Sequence, residues 1–192
     1  MMNATITDYL DRHKAAIEAI EHLVPTIARA AEMLQRVLDE NGKVLICGNG
    51  GSAADSQHFA AELVGRFRRE RRALPAVALT TDTSALTAIG NDYGFEQIFS
   101  RQAEALANKG DVLIGISTSG HSANVLNAVR VARERGCRTI GLLGRDGGSI
   151  APEVDVPLVV PSEQTSHIQE AHIVVIHLLC ELLESTFASK QE

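Results

Sequence analysis

Five short apolar runs punctuate the middle of the chain: Lys43–Cys47, Ala76–Leu79, Asp111–Ile116, Arg138–Leu143 and Asp155–Val160. Each is four to six residues long, rich in Val, Ile and Leu, and bounded by Gly, Asp, Ser or Pro. Unbroken apolar character over that length fits strands covered on both faces, as in a parallel sheet. Between the runs, helical spacing predicts helices over 52–68, 83–89, 96–107 and 122–135, with Val125, Ala128, Val129 and Ala132 marking one stripe. Such alternation predicts an α/β fold, a parallel sheet with helices on both faces and right-handed crossovers.

Both ends of the chain read as helical. Pro25 suits a first turn, Ile27, Ala31, Leu34 and Leu38 form one stripe over 25–40, and Asn41-Gly42 supplies the stop. The last helix, 164–187, carries Ile168, His172, Val175, Leu179, Leu182 and Leu183, with Ile173, Val174, Ile176 and Leu178 on its other side. A terminal helix that is apolar nearly all round predicts burial against a neighbouring subunit as well as its own sheet. The layout expected is one domain over 1–192: N-terminal helices 3–41, an α/β core 43–160, and the C-terminal helix 164–187.

Composition narrows the class. With 192 residues, 45% apolar and 22% charged, the chain can bury a substantial core. A net charge of −6 argues against a nucleic-acid partner. Asp8 and Asp11 interrupt the stretch where a leader would sit, and Ile173–Leu183 contains His177 and Glu181 and reads as too short to cross a bilayer. A cytoplasmic chain with no membrane partner is expected. Cys47, Cys137 and Cys180 have no metal or redox spacing and read as buried, reduced thiols.

Candidate chemistry lies where strands end, because open parallel sheets bind ligands beyond their carboxyl edge. The first strand runs into Gly48-Asn49-Gly50-Gly51-Ser52, where the backbone can approach a ligand and a helix start offers free N–H groups. The third runs into Ser117-Thr118-Ser119-Gly120-His121-Ser122, whose hydroxyls can hold a phosphate without a basic side chain. Either loop alone is an ordinary cap or turn. Two on one sheet edge favour a phosphate site. Gly48-x-Gly50-x-x-Ala53 is a loose dinucleotide fingerprint, but Arg66–Arg72 stands where its acidic partner is needed, and no P-loop lysine is present.

His58, Glu62 and Arg66 follow the glycine loop on one helical face, a spacing that serves a divalent metal, proton transfer or a plain ion pair. Gln169 and His177 lie within about 80° of each other on the last helix, with His172 displaced to the side. Gly90-Asn91-Asp92-Tyr93-Gly94 reads as a turn whose polar side chains could reach sugar hydroxyls. His13, His22, His121 and His167 lack spaced partners and read as surface; the arginines of 66–72, Arg66 apart, read as solvated.

Together, Cys47–Asp55, Gln57–Glu62, Gly90–Gly94, Ser117–Gly120 and Gln169–His172 with His177 resemble the sugar isomerase (SIS) family. Within it they resemble the branch that interconverts sedoheptulose 7-phosphate and D-glycero-D-manno-heptose 7-phosphate, feeding lipopolysaccharide heptose. The resemblance covers about 3–187. It implies a three-layer α/β/α sandwich with a five-stranded parallel sheet, and a homotetramer sharing sites between subunits. It also implies substrate contacts from Asn49, Gly50, Gly51, Ser52, Arg66 and Gln169, and hydroxyl contacts from Asn91 and Asp92. Ser117, Thr118, Ser119 and Ser122 would cradle the phosphate. Glu62 would be the enediol-forming base and His177 its acid–base partner. His58, Glu62, Gln169 and His177 correspond to zinc ligands of some members, one ion per subunit. His121 stands where many members have Asn. Two rivals share the fold: a non-enzymatic relative that binds the bacterial replication initiator, and other phosphosugar isomerases or sensors.

Overall fold

The computed structural model describes residues 1–188. Helix α1 (Met2–Glu18) leads through a 3-10 turn at Ala19–Leu23 into α2 (Val24–Asp39). Then β1 (Val44–Gly48), α3 (Gly51–Val64), β2 (Ala76–Ala78), α4 (Thr83–Tyr93) and α5 (Ser100–Leu106) follow. The remainder is β3 (Val112–Ser117), α6 (Ala123–Glu134), β4 (Arg138–Gly144), β5 (Val156–Val160) and α7 (Thr165–Ala188). All five strands match apolar runs of the sequence. They pair in parallel in the order β2-β1-β3-β4-β5.

Alternating side chains of each strand feed two apolar layers. Val44, Ile46, Val112, Ile114, Ile140 and Leu142 pack with α2, α3 and α7. Leu45, Cys47, Leu113 and Leu143 pack with α5 and α6 on the opposite face. Helices α3 and α6, which leave neighbouring strands β1 and β3, therefore diverge to opposite faces. That divergence opens a crevice at the carboxyl edge between β1 and β3, the place where this strand order binds ligands. Both candidate loops open onto it. The three cysteines are buried and free, as expected.

Several sequence expectations need correction. Residues 90–93 are not a turn; they form the last turn of α4, and the chain reverses only at Gly94, whose φ of +92° suits glycine. The 96–107 helix starts later, at Ser100, after a 3-10 turn at Phe95–Gln97. Helix α3 stops at Val64 and not at 68, because the Glu184 carboxylate accepts hydrogen bonds from the N–H groups of Phe67 (3.0 Å) and Arg68 (2.8 Å) and draws them off the helical path.

Helix α7 is more enclosed by its own chain than its circumference implied: Ile176 is buried in the core, and Ile173 and Val174 pack against it. Leu178 and Leu182 remain exposed. At 24 residues it is long and apolar enough to cross a membrane, contrary to the reading of 173–183 alone, yet half of its most apolar window is buried inside the protein. It packs on α1, α2, α3, β4 and β5, as a core helix does.

Candidate functional site

The crevice is built from the ends of β1 and β3. After β1 the backbone turns through Gly50 into α3, and Ser52, itself buried, closes the first turn by N–H donation to the Asn49 carbonyl at 2.9 Å. Asn49 and Asn124 exchange two side-chain hydrogen bonds of 2.8 Å, which pin the glycine loop to the first turn of α6. A Cβ on Gly51 would lie 1.9 Å from Gln169 Nε2, so the Gln169 amide from α7 rests on the loop where any other residue would push it away.

The serine loop is ordered by its own hydroxyls. Ser117 Oγ lies 2.9 Å from Ser122 Oγ and 3.4 Å from Ser119 Oγ. It also accepts from Gly120 N–H at 3.1 Å, while Ser119 Oγ accepts from His121 N–H at 3.1 Å. Ser122 occupies the N-cap of α6 without a side-chain bond to that helix. The N-cap of α3 is Gly50, which has no side chain to offer. Neither N-cap residue thus makes a side-chain bond to its own helix, and although Asn124 Oδ1 takes the Val125 N–H at 2.9 Å, both termini keep free N–H groups at one crevice, an arrangement favourable to an anion. Thr118 lies half-buried on the same loop.

Beyond the loops, α3 and α7 bring the acid–base candidates together. His58 Nε2 lies 3.0 Å from His177 Nε2, and Glu62 Oε1 lies 3.5 Å from His58 Nε2. The Phe67 ring covers His177 with centroids 5.5 Å apart. Burial first, and then the neighbouring His58, lower the His177 pKa, against an upward pull from Glu62. Asp55, one turn before His58, is pushed up to about 6 by burial, tempered by His58, and its Oδ2 is buried without a partner. Two imidazoles and a carboxylate are donor types suited to a borderline divalent cation, although here only the His58–His177 and His58–Glu62 pairs are close and the three ligand atoms are not all within 4.8 Å of one another.

Other expected residues lie apart. Arg66 is exposed and pairs with Glu70 at 3.2 Å. Asn91 and Asp92 are exposed on α4 and hydrogen-bond each other at 2.8 Å. The arginine run is not wholly solvated: Arg71 is buried and donates to the carbonyls of Glu62 (2.6 Å), Gly65 (3.1 Å) and Arg72 (2.9 Å). Its guanidinium thereby satisfies carbonyls at the end of the helix that carries Glu62. Nor is His167 a surface residue, while His13 is half-buried beside it. His167 is 1% exposed, and both rings lean on Glu170, one helical turn past His167.

Known proteins point the same way. The model of the SIS domain matches residues 8–144. A phosphoheptose isomerase of Geobacter sulfurreducens is 63% identical over 180 residues, 93% of this chain and 95% of that protein. Its counterpart in Geotalea daltonii is 62% identical, covering 93% and 94%. The solved phosphoheptose isomerase of Neisseria gonorrhoeae superposes with a TM-score of 0.91 at 51% identity, covering 96% of this chain and all of that one.

The chain belongs to the phosphoheptose isomerase family. For a phosphoheptose isomerase fold, the sequence motifs identify both loops and the His58–Glu62–His177 group, but miss their supports. Asn124 carries no signal in the 122–135 helical pattern, because its role depends on Asn49, which is distant in sequence. Arg71 carries no signal of its own inside a run of charges.

Proposed function

We propose that the protein is an aldose–ketose isomerase, an intramolecular oxidoreductase, that converts sedoheptulose 7-phosphate to D-glycero-D-manno-heptose 7-phosphate in the supply of lipopolysaccharide heptose. The observation that carries this reading is the crevice itself: an anion-ready pair of loops lies at the β1–β3 divide, and the helix that leaves the first loop carries a carboxylate and a histidine, with a second histidine beside them from α7. The substrate phosphate sits on Ser117, Thr118, Ser119 and Ser122, and the sugar extends over Asn49–Ser52 towards Glu62. Glu62 takes a proton from C1 of the ketose and returns it to C2 through an enediol, while His177 moves the proton between O1 and O2. Phe67 screens one face of the His177 ring. His58, Glu62 and His177 would hold a zinc ion, with Gln169 of α7 as a further ligand by family resemblance. Zinc bound there would polarise the substrate oxygens.

Assembly completes the reading: a cytoplasmic homotetramer with sites shared between subunits. The exposed apolar side chains Ile6 and Leu10 on α1, and Leu178 and Leu182 on α7, support such burial. In that assembly Arg66, Asn91 and Asp92 serve the site of a neighbouring chain. Incubation with sedoheptulose 7-phosphate followed by NMR tests the assignment. An aldoheptose 7-phosphate should accumulate to equilibrium; no product with or without zinc would sink it. The enzyme reading rests on Glu62 and His177 and outranks a sugar-phosphate sensor or a partner of the replication initiator, neither of which needs them.

A further inference from the structure

Outside the crevice, His13 on α1 and His167 on α7 aim Nδ1 at one oxygen of one carboxylate. Glu170 Oε2 lies 2.7 Å from His13 Nδ1 and 2.9 Å from His167 Nδ1. Among the described residues, these three form the one set of three or more His, Cys, Asp or Glu residues whose ligand atoms lie mutually within 4.8 Å. The other Glu170 oxygen accepts the Tyr9 hydroxyl at 2.6 Å, and the Tyr9 ring meets His167 edge-on with centroids 4.4 Å apart. His167 Nε2 is buried without a partner, so Glu170 is the polar outlet of its ring. The side chains of His13 and Glu170 keep 36% and 32% of their surface, so the cluster has a buried floor and an open mouth.

We propose that His13, His167 and Glu170 form a second divalent-metal site, separate from the crevice, which takes a borderline transition ion such as zinc and clamps α1 onto the start of α7. Two neutral imidazoles and one carboxylate suit that class of ion, with the open mouth leaving a fourth position for water. A tetrahedral ion at 2.0–2.1 Å holds its donors roughly 3.3 Å apart, so the two Glu170 separations need widen by only about 0.5 Å, and the two histidine nitrogens already lie within 4.8 Å of each other. Helix α1 can give that much, since Ala16 is its one buried residue. Tyr9 supplies the outer contact that orients a ligating carboxylate. The clamp has a structural role. It fastens a helix with little buried surface of its own to a helix whose next residue back, Gln169, rests on the glycine loop.

Zinc binding to the metal-stripped full chain, measured by equilibrium dialysis and elemental analysis, tests this independently of the isomerase reading. A His58→Ala/His177→Ala chain, in which the crevice donors are removed, should retain one zinc per chain and gain thermal stability from it. Adding His13→Ala and Glu170→Gln should abolish both effects. Crystals of the wild-type chain soaked in zinc chloride should show an anomalous peak between His13, His167 and Glu170. No zinc on the folded double variant, or zinc that survives the added changes, would overturn the proposal. If either variant fails to fold, the wild-type map decides: a peak supports the site, and its absence rejects it.

Discussion

Asn49 and Asn124, on opposite sides of the β1–β3 crevice, satisfy each other's amides with two hydrogen bonds of 2.8 Å. The pair fixes the distance between the glycine loop and the start of α6, and so the span a substrate must bridge. Replacing Asn124 by Ala leaves the half-buried Asn49 amide unpaired, a cost of about 1–3 kcal/mol. Calorimetry should show a lower Tm, and steady-state kinetics should show a larger rise in KM than fall in kcat, because binding geometry is disturbed and the acid–base pair is not.

Glu62→Gln preserves shape and removes the base. Turnover should fall on the order of 10²–10⁴, the usual contribution of a positioned acid or base, with KM nearly unchanged. Near-normal kcat would move the proton-transfer role elsewhere.

Gly51 has no room for a side chain, since an added Cβ would meet Gln169 Nε2 at 1.9 Å. Gly51→Ala should therefore displace the glycine loop or Gln169 and lose most activity. The double change Gly51→Ala/Gln169→Ala relieves the clash. If the contact is the cause, it should restore part of the loop order seen by hydrogen exchange, giving a non-additive cycle.

His172 gives the fold a pH dependence of predictable sign. It is buried, its Nε2–H donates to the Leu143 carbonyl at 3.1 Å, and its Nδ1 has no partner. Burial, only partly offset by that carbonyl, lowers its pKa from 6.5 to about 4. The unfolded chain thus binds the proton more readily. The stabilisation is complete above pH 6.5 and is lost as pH falls towards 4, by about 3 kcal/mol in all. Urea unfolding of wild type and His172→Gln at pH 7 and pH 4.5 should give a stability difference that shrinks at the lower pH.

The strands and both loops were legible because their signals are local: unbroken Val, Ile and Leu runs, and glycines and serines directly after them. His58 with Glu62 was legible as a helical repeat. What escaped depends on partners distant in sequence. His167 looked isolated because its surroundings come partly from α1, and Asn91-Asp92 looked like a turn because their composition is that of one. Arg71 and Arg66 look alike in sequence, yet one is buried under the end of α3 and the other faces solvent.

Arg71 and Glu184 face each other at 4.0 Å, each with a side chain only 2% exposed. Removing either strands the other's charge in the interior, a loss of about 3–5 kcal/mol. Arg71 also holds the carbonyl of Glu62, so the damage reaches the proposed base. A change at either position alone should therefore weaken stability and turnover together, whereas exchanging both for apolar residues of similar volume should spare the fold.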